Sequence, residues 1–280
     1  MKSIENGIRK FLRANNKLGA VLSVVGFFNG LLLLYLLSDI YMVNVHGKMS
    51  EGRPDEAAAV YITFAMLSWL GVFAGAIWGG VLYGFIHKEK WAWFLGTIAA
   101  AMQMLAGFFP MIPPSSIDLP APTVSVFLIG TVLWFAMLLI GGVSTKTIIL
   151  IFVAGLAYVL TYVDGVATIS KFQTTTYNDF WKSMYMMVQM VLWFGATAWF
   201  VFMFAVLKHK AWAVPLGIVA GLASMIGGYP LAIINIIEVE RFSMFLPGPV
   251  IAMGLFIVLW FPGIKKLITG WETWEVTEAQ

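Results

Sequence analysis

The chain is 280 residues long, 60% hydrophobic and only 11% charged, with a mean hydropathy of +0.87, whereas a soluble domain is roughly 45–50% apolar and about 25% charged. That balance excludes a water-soluble fold, and the absence of cysteine excludes disulfides, thiolate nucleophiles, iron–sulfur clusters and cysteine zinc sites. The net charge of +3 sits on lysines and arginines bordering apolar stretches, a pattern of membrane orientation and not of nucleic-acid binding.

Residues 1–17 carry Lys2, Arg9, Lys10, Arg13 and Lys17, with Ile4, Ile8, Phe11 and Leu12 at helical spacing. This predicts a basic amphipathic helix on the bilayer surface, running into the first span without a signal-peptide cleavage site. Spans are expected at Leu18–Met42, Ala58–Ile86, Ala92–Met111, Val124–Val143, Ile148–Ile169, Tyr185–Leu207, Ala213–Ile237 and Val250–Leu267, followed by a tail over 269–280. Backbone in lipid must satisfy its own hydrogen bonds, so segments of this length are helices. The predicted fold is an all-α polytopic bundle of about eight transmembrane helices, embedded in the cytoplasmic membrane.

Lysine and arginine set the orientation. The five N-terminal cations, Lys88, Lys90, Lys146, Lys208, Lys210, Lys265 and Lys266 fall on one side; Lys48, Arg53, Lys171, Lys182 and Arg241 fall on the other. The positive-inside rule places the richer side, with both termini, in the cytosol. The outer connections, Asn44–Glu56, Pro113–Pro122, Ser170–Ser183 and Glu238–Pro249, are the longer ones.

The chain also reads as a tandem repeat, with residues 18–143 as one four-helix unit and 148–268 as the other. Trp78, followed by His87, Lys88, Lys90, Trp91 and Ala92, returns as Trp199, then Lys208, His209, Lys210, Trp212 and Ala213. Leu119-Pro120-Ala121-Pro122 before Trp134-Phe135 returns as Leu246-Pro247-Gly248-Pro249 before Trp260-Phe261. Gly96, Ala100 and Gln103 map to Gly217, Gly221 and Ser224, and Asp39 maps to Asp164. Matches of Trp, Pro and charge in one order carry weight that Leu and Val matches do not. Four spans per copy make the repeats parallel, related about the membrane normal.

Asp39 and Asp164 are the acids within the spans, and an acid in a span is a functional hypothesis by default. Their nearness to span ends also allows a structural role at the membrane boundary. If they meet, they make an outward-side ligand or ion site with Gln103 and Tyr229 nearby. Gly107, Pro110 and Gly227, Gly228, Tyr229, Pro230 mark kinks or helix ends in the third and seventh spans. Gly71, Gly75 and Gly79, with Gly217 and Gly221, form small-residue faces for close helix packing. His87 and His209 lie among lysines at span ends, which argues against axial haem ligation, and no ligand spacing suits a metal. Tryptophans at span ends form interfacial belts, while Trp134 and Trp260 are expected to pack more deeply.

The sparse polar groups Asn29, Asp39, Gln103, Asp164 and Gln189 select no reaction and no cofactor, so the chain is expected to be non-catalytic. The favoured function is a structural or accessory subunit of a larger membrane complex, partnered by lipid and by other membrane subunits or further copies of itself. The alternative is a transporter or channel for a small solute or ion around Asp39 and Asp164.

Overall fold

A computed structural model of the chain describes residues 11–52, 54–115, 117–173, 177–240 and 242–271. Most of the N-terminal amphipathic stretch and of the C-terminal tail lies outside the described residues. All regular elements among the described residues are helical.

The chain divides between Ser144 and Thr145 into two compact units. The first contains α1 (Asn16–Ser50), α2 (Pro54–Ile86), α3 (Ala92–Phe108), a 3-10 turn (Phe109–Met111), the short α4 (Ile112–Ser115) and α5 (Val124–Ile140). The second contains α6 (Thr145–Gln173), α7 (Asp179–Leu207), α8 (Ala213–Val239), α9 (Pro247–Leu259) and α10 (Gly263–Thr269). Both units close the same circuit. In the first, α1 packs on α2, α2 on α3, α3 on α5 and α5 on α1; in the second, α6 packs on α7, α7 on α8, α8 on α9 and α9 on α6.

Six helical segments are long and apolar enough to cross a membrane, as a multi-pass protein in contact with lipid requires. Two of the eight expected spans depart from that pattern. Helix α5 has 17 residues, and the last span is broken into α9 and α10, bent by 95°, giving six spans or seven if the bent pair is one. Pro262 lies at the break; it has no N–H to continue the ladder and its ring collides with the preceding turn. Trp260, expected in the packed interior, stands exposed at the end of α9, whereas Trp134 is buried in α5.

Two other expectations are met only in part. The expected first outer connection is much shortened, because one helix continues to Ser50 and the next begins at Pro54. Its polar residues are absorbed by the helix: Asn44 Nδ2 donates to the Ile40 carbonyl, and the buried Lys48 ammonium pairs with Glu56 at 2.7 Å. Pro230 neither ends nor divides α8, which runs through it to Val239. In the third span, by contrast, α3 stops at Phe108 and the chain tightens into a 3-10 turn around Pro110.

The second helix of each unit ends alike. Lys88 and His209 both take the left-handed conformation, with φ of 58° and 55°. Glu89 N–H donates to the Gly84 carbonyl at 2.7 Å, and Lys210 N–H to the Ala205 carbonyl at 2.8 Å. These bonds satisfy the last carbonyls of α2 and α7 and turn the chain directly into the next helix.

Candidate functional site

A single polar centre ties together the four long helices of the first unit. Gln103 on α3 is fully buried; its Nε2 donates to the Gly26 carbonyl of α1 at 2.7 Å. Its Oε1 accepts from Trp78 Nε1 of α2 at 3.1 Å and from Asn29 Nδ2 of α1 at 3.1 Å. Asn29 Nδ2 also donates to the Val126 carbonyl of α5 at 3.3 Å. Close approach is possible because Gly26 and Gly30 lack side chains: a β-carbon at Gly30 would stand 2.8 Å from Gly75 Cα. The amide of Gln103 is thus spent on neighbouring helices, which gives it a structural role.

The second unit repeats the arrangement with smaller groups. Trp199 Nε1 of α7 donates to Ser224 Oγ of α8 at 3.0 Å, and Thr161 Oγ1 of α6 donates to the same oxygen at 2.9 Å. Ser224 Oγ in turn donates to the Ala220 carbonyl at 2.9 Å. In both units the tryptophan and its acceptor are 25 residues apart.

This register separates the two acids that the sequence pairs. Asp164 follows Thr161 by three residues, whereas Asp39 follows Asn29, the residue that occupies the matching place in the first unit, by ten. Seven residues are two helical turns, about 10 Å along the axis. Their surroundings differ accordingly: Asp39 is exposed on α1, and Asp164 is 2% exposed on α6. Asp164 Oδ2 has no hydrogen-bond partner. It faces Gly248 at the start of α9, where a β-carbon would lie 2.6 Å from Oδ2. Glycine at 248 makes room for the carboxyl.

The Tyr229 hydroxyl donates to Met253 Sδ at 3.2 Å, bridging α8 and α9. Of the packing glycines, Gly71 receives Leu33 and Ala106, Gly75 lies against Gly30, Gly217 receives Leu259 and Phe202, and Gly221 receives Phe256. Gly79 differs: it is exposed, and a β-carbon there would meet nothing within 4 Å. His87 stacks on Tyr83 with ring centroids 3.9 Å apart and His209 lies tilted against Trp271 at 4.1 Å, so each ring is engaged by an aromatic neighbour.

Asn29 was legible only as one polar residue among several. Its role as the bridge to α5 depends on a backbone carbonyl, which no side-chain pattern announces. Ser224 stands out in the sequence only as the counterpart of Gln103, and Thr161 not at all, until the bonds among Trp199, Thr161 and Ser224 are seen. Compared with known proteins, the chain matches no protein-family model, no curated protein and no solved structure.

Proposed function

We propose that this chain is a non-catalytic integral subunit of a larger membrane assembly, built from a duplicated four-helix unit with parallel copies and both termini in the cytosol of a cytoplasmic-membrane protein. The observation that carries the subunit reading is the open small-residue face at Gly79 on α2. One turn earlier on the same helix, Gly75 is occupied by α1, whereas Gly79 is uncovered and flanked by exposed Phe73 and Tyr83. Glycine on a lipid-exposed helix face lets a second helix approach closely, so dispersion contacts between backbones can hold it. The duplication is supported by the matching tryptophan-centred bonds, by the matching turns at Lys88 and His209, and by the shared packing circuit.

Purification in mild detergent tests this. Wild-type protein is expected to recover a stoichiometric membrane partner or a further copy of itself, and Gly79→Leu to lose it with an unchanged thermal transition. A wild-type protein that is monomeric and alone would overturn the reading.

The second reading, transport of a small solute or ion, is favoured by one observation: the buried, unpartnered carboxylate oxygen of Asp164. Asp39 does not share this environment, so the site in this reading centres on Asp164.

A further inference from the structure

We infer that Asp164 is held as a neutral carboxylic acid and forms a proton site inside the second unit. This deepens the transport reading, on whose assignment of a site to Asp164 it rests; the subunit reading does not bear on it.

The argument begins with the missing partners. A carboxylate has two oxygens that together accept several hydrogen bonds, and burying it without donors or a counter-charge is among the costliest placements in a protein. Asp164 is 2% exposed, and Oδ2 receives no bond. The neighbouring hydroxyls are committed elsewhere. Thr161 donates to Ser224, Ser224 donates to the Ala220 carbonyl, and Thr168 donates to the Gly165 carbonyl at 2.7 Å. Helix α9 meets the carboxyl with its N-terminus, but of its first three residues only Gly248 has an N–H, and no hydrogen bond from it reaches Oδ2.

Nor does a counter-charge compensate. Helix α9 has no titratable residue. The charged residues of the other helices packed on α6 lie near helix ends, as Asp179, Lys182 and Glu238 do, or on α10, as Lys265 and Lys266 do. Tyr185, on α7, and Tyr229, on α8, bring hydroxyl groups and no ammonium or guanidinium. Lys171 lies two turns further along α6, and its ammonium sits 5.9 Å from the ring centres of Tyr177 and Phe245. Among the described residues no ion pair joins any of these to Asp164.

A proton resolves the conflict locally. Uptake forms one O–H bond on the carboxyl and cancels its charge; release restores a charge that only the α9 N-terminus offsets, with no hydrogen bond to Oδ2 and no ion pair. The site is also shaped for this group, since Gly248 leaves the space that the carboxyl fills. One turn further along α6, Ala167 packs on a cluster of Tyr177, Tyr185, Leu231 and Phe245, where the Tyr177 hydroxyl accepts from Asn235 Nδ2 at 3.3 Å.

Infrared spectroscopy of the full-length protein in nanodiscs reads this directly, because a protonated carboxyl has a C=O stretch that a carboxylate lacks. At neutral pH the wild type is expected to show this band, Asp164→Asn to lose it, and Gly248→Ala to shift it, because the added carbon displaces the carboxyl. A band retained in Asp164→Asn, or absent from the wild type, overturns the proton assignment. The two ideas are then separated by Na+ and Li+: if either raises the thermal transition of the wild type but not of Asp164→Asn, Asp164 remains an ion site and only the proton falls. If neither does, the site falls with it. Should Asp164→Asn not fold, Asp164→Glu is the substitute, with its band expected at a displaced frequency.

Discussion

At the scale of single residues, the two units solve one problem with different chemistry. An indole N–H buried in the centre of a bundle needs an acceptor, and Trp78 finds an amide where Trp199 finds a hydroxyl. Gln103 engages three groups on two other helices, so replacing it strands the Trp78 indole N–H and removes one bond each from Asn29 Nδ2, which keeps the Val126 carbonyl, and from the Gly26 carbonyl. Gln103→Leu is therefore expected to lower stability by about 2–3 kcal/mol, within the range for stranding buried polar groups. Ser224→Ala strands only the Thr161 and Trp199 donors and creates a smaller void, with an expected cost of about 1–2 kcal/mol. Thermal unfolding of both variants in detergent checks the order; a larger loss for Ser224→Ala would show that the first unit is not organised around its amide. The presence of Gln103 and Asp164 in spans was visible from the sequence, since polar residues in lipid are few. Their opposite fates were not, because a side chain's partners depend on the rotation of each helix about its own axis.

At the scale of helices, glycine position decides which faces are filled. A β-carbon at Gly30 would stand 2.8 Å from Gly75 Cα, which is backbone and cannot rotate away, so α1 and α2 must separate to admit it. Gly30→Ala is expected to cost about 1–3 kcal/mol by overpacking. Gly79→Ala meets no atom and is expected to leave stability unchanged or to raise it slightly, alanine being the better helix former. Equal effects at the two positions in a thermal-shift assay would contradict the packing described. The small-residue spacing of Gly71, Gly75 and Gly79 was legible in advance, but not the point at which the stripe passes from covered to open. Helix ends were less legible still. Hydropathy marks where a helix is apolar, and α1 outruns that mark because Asn44 and Lys48 satisfy their polar groups locally and with Glu56. Proline was an uneven guide: α8 carries Pro230 within one continuous helix, while the chain bends sharply at Pro262.

At the scale of the whole molecule, crossing number depends on the least conspicuous helix. Helix α5 has 17 residues, about 26 Å of helix against a hydrocarbon core of about 30 Å. Its length alone leaves it short, yet Val126, Gly130, Leu133, Trp134, Met137 and Leu138 are buried, and it is packed on α3 along its course. A helix held inside a bundle can cross with its ends flush in the interface, where Thr123 and Gly141 cap it. The consequence can be read at Thr145, immediately after it. Because the chain contains no cysteine, single cysteines report without background. With α1, α2, α3 and α5 all crossing, Ser50→Cys, at the end of α1, is expected to react with a membrane-impermeant thiol reagent on intact cells. Thr145→Cys is expected to react only after the cells are opened. Labelling of both from outside would mean that α5 returns to the side it came from. The lysines flanking the second unit would then face the wrong compartment for the positive-inside rule, and the parallel duplication proposed for the chain would fail with them.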